Sequence, residues 1–241
     1  MLTLFYFAWI SLLVSVLLVW TAHRARKENF PFQLFLNISG VLLISLPLGA
    51  RLFHVFYEAY DFYFENPLKV LFVWQGGFVY YGGLLTGLLA SVLYFKLSVS
   101  EKTFFSTADF FTPALNLGTG LGRVACYVQG CCFGSPWPFS FPTWEKHPTQ
   151  LYLMTWEVLI FFGLDSLKSK LKNWGPGSHF MAWIGLSALG RFFIEFLRVD
   201  FRGALILRLS VSQWIALSLI IMAGLVLVLI RFRYFQPAKP K

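Results

Sequence analysis

The chain has 241 residues, of which 57% are hydrophobic and 13% charged, and its mean hydropathy is +0.65. A soluble domain carries about 25% charged residues, so an ordinary water-soluble fold is excluded. The formal charge of +9 sits mainly in short connections between long apolar runs, which suits contact with anionic membrane lipids and gives no case for nucleic acid.

Apolar runs of roughly 17–25 residues mark bilayer spans, and they occur at about 3–21, 34–56, 78–95, 108–128, 149–164, 179–197 and 211–230. The expected fold class is therefore an all-α polytopic membrane protein with about seven transmembrane helices. Residues 1–241 read as a single integral membrane domain with a short disordered tail at about 235–241. The first run lacks a basic leader and an A-x-A cleavage pattern, so it reads as a retained span. Pro113 and several glycines interrupt the fourth run, and the fifth is short. Residues 58–76 read as a loop, with LFVW at 71–74 apolar enough to dip into the interface.

Orientation follows from the lysines and arginines. Arg24, Arg26, Lys27, Lys96, Lys102, Lys168, Lys170, Lys172, Arg231, Arg233, Lys239 and Lys241 fall on one side of such a seven-span arrangement. Most loop acids fall on the other. The N-terminus is expected outside and the C-terminus in the cytoplasm.

Polar residues break the apolar runs at five places: GARLFHVFYE (49–58), QGGFVYYGGLLTG (75–87), GLGRVACYVQGCCFG (120–134), HPTQLY (147–152) and GRFFIEFLRVD (190–200). On this topology all five lie at the outer ends of spans, as expected of a site near the outer leaflet. A cation inside a span is costly and normally meets a partner or a water-filled cavity. Arg51, Arg123 and Arg191 need such partners, and Glu195, Asp109, Glu58 and Glu157 are the acids on offer. Arg191 and Glu195 stand at i and i+4, with Arg198 at i+7 on the same stripe. A structural ion pair with snorkelling neighbours is one reading. The other is an anion site for a lipid phosphate, which a planar guanidinium fork grips with two parallel hydrogen bonds.

The glycines of QGGFVYYGGLLTG, Gly82 and Gly83 among them, suit either helix packing or close approach to a headgroup. His147 precedes a proline suited to a helix start, and reads as a cap or a headgroup contact. Cys126, Cys131 and Cys132 lack the C-x-x-C spacing of a zinc site, so neither metal nor cofactor is expected. A disulfide from Cys126 to one of the adjacent pair is an alternative to small residues packed in a turn.

Six motifs in order, G-A-R-L, G-G-x-x-x-Y-G-G-L-L-x-G, D-x-x-x-P-A-L-x-L-G-x-x-x-G-R, H-P-T-Q-L-Y, G-R-F-x-x-E-F-x-R-x-D and S-x-S-Q-W, run from about residue 40 to 225. This series resembles the prolipoprotein diacylglyceryl transferase family. The resemblance implies a multi-pass enzyme of the bacterial cytoplasmic (inner) membrane. It implies transfer of a diacylglyceryl group from phosphatidylglycerol to the lipobox cysteine thiol in the signal peptide of a preprolipoprotein, with release of glycerol phosphate. Arg123, Arg191, Tyr81 and Glu195 are then the expected catalytic residues. Arg51, Gly82, Gly83, Gln129, His147, Gln150, Tyr152 and Arg198 are the expected substrate-binding ones.

The chain departs from the family pattern at three places. Tyr81 stands where the family often has histidine. ACYVQGC at 125–131 replaces a signature richer in asparagine, and Leu153 replaces a glutamate, with Glu157 one turn later. The competing readings are a divergent paralogue with another thiol acceptor or lipid donor, and a non-enzymatic membrane protein that binds anionic lipid. A transporter fits less well, because no polar set leads inward from the outer cluster.

Overall fold

The computed structural model describes residues 2–98, 104–141, 144–198 and 207–235. Residues 236–241 of the expected tail lie outside them, as do Lys102, Asp200 and Arg202. In chain order the helices are α1 (Leu2–Lys27), α2 (Phe32–Phe53), α3 (Tyr60–Glu65), α4 (Tyr80–Ser98), α5 (Phe104–Gln129), α6 (Thr149–Ser166), α7 (Lys168–Lys172), α8 (Ser178–Ile194) and α9 (Val211–Phe235). A short antiparallel hairpin, β1 (Pro136–Phe141) and β2 (Trp144–Lys146), joins α5 to α6. Apart from that hairpin the described chain is an all-α membrane protein.

Among the described residues, five segments are long and apolar enough to cross a bilayer: Leu4–Lys27, Phe32–Glu58, Tyr80–Ser98, Ser178–Leu197 and Val211–Phe232. The helices α5 and α6 are as long as the others require but more polar. The first carries Asp109, Asn116 and Arg123, and the second carries Gln150, Glu157 and Asp165. The two helices that fall short in hydropathy are the ones that carry most of the buried polar groups described below. Residues 58–76 are more ordered than a plain loop, folding as a π-helical turn (His54–Glu58), α3 and two 3-10 turns (Pro67–Leu71 and Val73–Gln75).

The described residues divide into two compact units, one of residues 3–7 and those described within 15–104, the other of residue 2, 8–14 and those described from 105 to 235. In the first, α1 stops in a left-handed turn at Asn29 (φ 52°), where Phe30 N donates to Ala25 O at 2.8 Å. This is a Schellman ending with asparagine in the glycine position, and Pro31 prevents the helix from continuing. Helices α2 and α4 then pack through small residues. A Cβ on Gly83 would lie 2.8 Å from Leu46 O, and one on Gly82 would lie 2.4 Å from Phe53 Cβ. On the facing helix, a Cβ on Gly49 would lie 2.8 Å from Gly82 O. Backbones can approach this closely only where side chains are missing.

In the second unit, α8 packs against α6 and α9, with Trp183, Ile184, Ile160 and Ala223 in its core. The start of α8 is capped from another helix. Asp109 on α5 accepts hydrogen bonds from Gly177 N at 2.7 Å and Phe180 N at 2.8 Å. The carboxylate satisfies amides that a helix start leaves without partners, and its charge suits that end of the dipole. Asp109 therefore serves a helix terminus instead of pairing with an arginine.

The packing of α2 on α4 makes a direct prediction. Gly83→Val is expected to cost about 1–3 kcal/mol through overpacking, read as a lower thermal midpoint of the detergent-solubilised protein. Gly40→Ala, where an added Cβ meets nothing within 4 Å, is expected to leave that midpoint unchanged or raised.

Candidate active site

The predicted site residues fall into both units. In the first unit, Arg51 near the end of α2 is 5% exposed. Its Nε donates to Val70 O at 3.1 Å, its Nη2 to Lys69 O at 2.8 Å, and its Nη1 to Gly76 O and Gly77 O. The guanidinium also lies over the Tyr63 ring, 5.2 Å from its centre. A ring of carbonyls thus takes up this cation, and the connection between α3 and α4 folds around it. Gly77, at φ +81°, permits the closest approach, because a Cβ there would lie 2.8 Å from Arg51 Nη1. His54 bonds Tyr63 OH through Nδ1 at 3.3 Å, and its Nε2 lies 3.8 Å from Glu58 Oε2. Tyr81 sits edge-on to Tyr80 at the start of α4, while Gly82 and Gly83 are buried in the α2–α4 contact.

The second unit holds the densest polar group. Glu157 on α6, 4% exposed, accepts hydrogen bonds from Asn116 Nδ2 at 2.9 Å, Trp183 Nε1 at 3.2 Å and Ser187 Oγ. These donors come from α5 and α8, so one carboxylate ties three helices together. A Cβ on Gly120 would lie 2.8 Å from Glu157 Cβ. Arg123, one turn on from Gly120, is close enough for its charge to act on Glu157. Arg191 stands one turn beyond Ser187 on α8. It is 7% exposed and pairs with Glu195, Nη2 to Oε2 at 3.6 Å. Glu195 in turn accepts from Ser210 Oγ at 3.2 Å.

Ser210 opens α9 as a capping box. Gln213 N donates to Ser210 Oγ at 3.2 Å, and Ser210 N donates to Gln213 Oε1 at 2.9 Å. Gln213 Nε2 reaches back to Phe192 O at 3.4 Å.

A third group forms around residues 129–150. Helix α5 ends in a second Schellman turn, with Gly130 at φ 75° and Cys131 N donating to Cys126 O at 3.1 Å. The loop beyond is pinned from two sides. Thr149 Oγ1 donates to Cys132 O at 2.5 Å and Gln150 Nε2 donates to Cys131 O. Gly134 N donates to His147 O at 2.8 Å and Ser135 N to Leu197 O at 2.7 Å, next to a Gly134–Arg198 bridge. Gly134 is forced by closeness, since a Cβ would lie 2.5 Å from Leu197 O. These bonds join Gln150, His147 and Arg198 to one loop.

His147 does not cap α6. The cap position belongs to Pro148, and the imidazole Nδ1 meets Tyr152 OH at 3.3 Å, one turn into the helix. Gln150 Oε1 and Gln129 Oε1 are buried acceptors with no hydrogen-bond partner among the described residues.

Within the second unit, then, the structure places Arg123 near the buried Glu157 carboxylate, pairs Arg191 with Glu195 one turn beyond Ser187, and joins His147, Gln150, Tyr152 and Arg198 through one loop and the first turn of α6. The sequence reading offered Glu157 as one of four counter-ions and as a substitute for a family glutamate, and gave Asn116 no place. The signal for both was an uncompensated polar side chain in an apolar run. The S-x-x-Q spacing of Ser210 and Gln213 likewise announces a capping box.

The model of the family described as prolipoprotein diacylglyceryl transferase matches residues 2–230. The chain belongs to this family. Similar curated proteins include the phosphatidylglycerol–prolipoprotein diacylglyceryl transferase of Methylobacillus flagellatus, 34% identical over 89% of this chain and 82% of that protein. The protein of the same name from Nitrosomonas europaea is 34% identical over 86% of this chain and 75% of its own. That of Clostridium botulinum is 31% identical over 79% of each.

For this member of the prolipoprotein diacylglyceryl transferase family, the Glu157 network carries a stability prediction. Glu157→Ala strands three buried donors and removes the carboxylate on which the Arg123 charge acts, at an expected cost of about 3 kcal/mol. Glu157→Gln keeps one acceptor oxygen and is expected to cost less than half of that. Thermal denaturation of the two purified variants checks the order.

Proposed function

We propose that this chain transfers the diacylglyceryl group of phosphatidylglycerol to the lipobox cysteine thiol of a preprolipoprotein signal peptide. In this reading it works in the bacterial cytoplasmic membrane, with seven spans, the N-terminus outside, the C-terminus in the cytoplasm and the site near the outer leaflet. The observation that carries the reading is that two arginines of one unit each meet a buried carboxylate, Arg191 paired with Glu195 and Arg123 acting on Glu157, in a chain of this family.

The reaction is a displacement at the glycerol carbon that bears the phosphodiester. The thiolate sulfur forms a bond to that carbon, the carbon–oxygen bond breaks, and glycerol phosphate leaves with the electron pair. The leaving phosphate gains a negative charge, so fixed guanidinium groups act where charge develops. Arg123 and Arg191 are assigned that task, with Arg198 supporting the headgroup from the loop. Glu157 and Glu195 hold the two arginines in place while the site is empty. A phosphate then competes for charges that are already oriented, which lowers the reorganisation needed on binding.

The buried acceptors of Gln129 and Gln150 suit the hydroxyl donors of a glycerol headgroup. Proton removal from the thiol is assigned to His147, which Tyr152 orients through its hydroxyl. Tyr81 is the other expected base. It belongs to the first unit together with Gly82 and Gly83, which serve helix packing there, and Arg51, whose guanidinium serves its own loop.

The test is release of glycerol phosphate from phosphatidylglycerol vesicles given a synthetic lipobox peptide. Arg191→Lys keeps the charge and loses the planar fork, and is expected to lower kcat/KM by about a hundredfold. Full turnover by that variant overturns the phosphate-clamp role. Tyr81→Phe is expected to keep its rate. A loss comparable to that of Arg191→Lys would return the base assignment to Tyr81.

A further inference from the structure

The three cysteines remain outside the proposed chemistry, yet the fold gathers them. The Schellman turn that ends α5 places Cys126 and Cys131 at the two positions whose side chains this motif brings into contact. Cys131 N donates to Cys126 O at 3.1 Å, and its thiol reaches the same oxygen at 3.5 Å. Cys132 then takes a left-handed backbone, φ 66°, a conformation that costs a residue with a side chain and is commonly given to glycine. The turn swings its thiol back onto the other two. All three sulfurs lie within hydrogen-bond reach of one another, and the Arg198 guanidinium bonds Cys132. The thiols are only partly buried. Thr149 and Gln150 hold the two loop carbonyls and keep the turn in this shape.

We infer that this cluster is a thiol–disulfide exchange site, in which Cys132 attacks an incoming disulfide and the stable product is a Cys126–Cys131 crosslink across the end of α5. The Cys132 thiolate bonds to one sulfur of the incoming disulfide and expels the first thiol, leaving a mixed disulfide. Cys126 attacks the Cys132 sulfur and expels the second thiol. Cys131 then attacks Cys126 and frees Cys132 again. Two protons and two electrons pass from Cys126 and Cys131 to the incoming disulfide, which leaves as two thiols. Adjacent cysteines are badly placed to bridge each other, which makes Cys126 the obligatory partner.

The electrostatics give Cys132 the attacking role. Hydrogen bonds from Cys126 and Cys131, with the Arg198 charge beside it, hold its thiol well below the ordinary thiol range, against the opposing effect of burial. Because the carbonyls of Cys131 and Cys132 anchor Gln150 and Thr149, the oxidation state of the cluster is felt at the first turn of α6.

The full-length protein, purified in detergent and equilibrated with defined ratios of oxidised and reduced glutathione, tests this without any assay of transfer. Free thiols are alkylated with a maleimide, and intact and peptide masses are read. At oxidising ratios one maleimide adduct is expected, on Cys132, with a linkage between Cys126 and Cys131. Cys132→Ser is expected to form the same linkage about tenfold more slowly. Cys126→Ser is expected to form no internal linkage and to hold glutathione on Cys132. Three adducts on the parent protein at every ratio would overturn the proposal, as would a linkage that ends on Cys132 or an unchanged rate in Cys132→Ser.

Discussion

A guanidinium cannot rest in an apolar helix bundle without oxygen atoms around it, and much of this structure follows from meeting that demand. In the first unit Arg51 is served by backbone carbonyls, so the chain from Lys69 to Gly77 must curl around a single side chain. In the second, Glu195 faces Arg191 from one turn away and Glu157 stands near Arg123. The two solutions have different uses. Carbonyls enclose a cation from several sides and bind a loop to it. Carboxylates neutralise the charge while leaving donor groups oriented, which is the arrangement the proposed phosphate site requires.

The cost of these carboxylates is in turn met by neutral donors. Glu157 draws hydrogen bonds from an amide, an indole and a hydroxyl on two neighbouring helices. A buried ion is destabilising unless its remaining lone pairs are satisfied, so Asn116, Trp183 and Ser187 belong to the same requirement as the arginines. This polarity keeps α5 and α6 out of the set of strongly apolar helices, while α8, which lends two of the donors, remains apolar enough to qualify.

The positions of the long helices were legible in the sequence, because bilayer thickness imposes a run length that composition reveals directly. The pairing of Arg191 with Glu195 was legible for a similar reason, since helical spacing alone places them together. Harder to read were contacts set by helices far apart in sequence. Asp109 looked like a counter-ion, and its real partners are the amides that open α8. Gly82 and Gly83 served two readings equally until the neighbouring backbone of α2 was seen against them. His147, before a proline, read equally as a cap or a headgroup contact, and its ring turns to Tyr152. The folded form of residues 58–76 was hidden as well, because its organising centre is a side chain outside that stretch. In each case the deciding atom lies on a different segment from the residue it explains.

The hydroxyl of Ser210 does two jobs at once, donating to Glu195 and accepting from the first turn of α9. A lone oxygen thereby couples the carboxylate's position to the winding of the last helix. Whatever pulls Glu195 toward or away from Arg191 changes how firmly that helix begins, and by reciprocity a disturbance at the beginning of α9 alters how firmly Glu195 holds to Arg191.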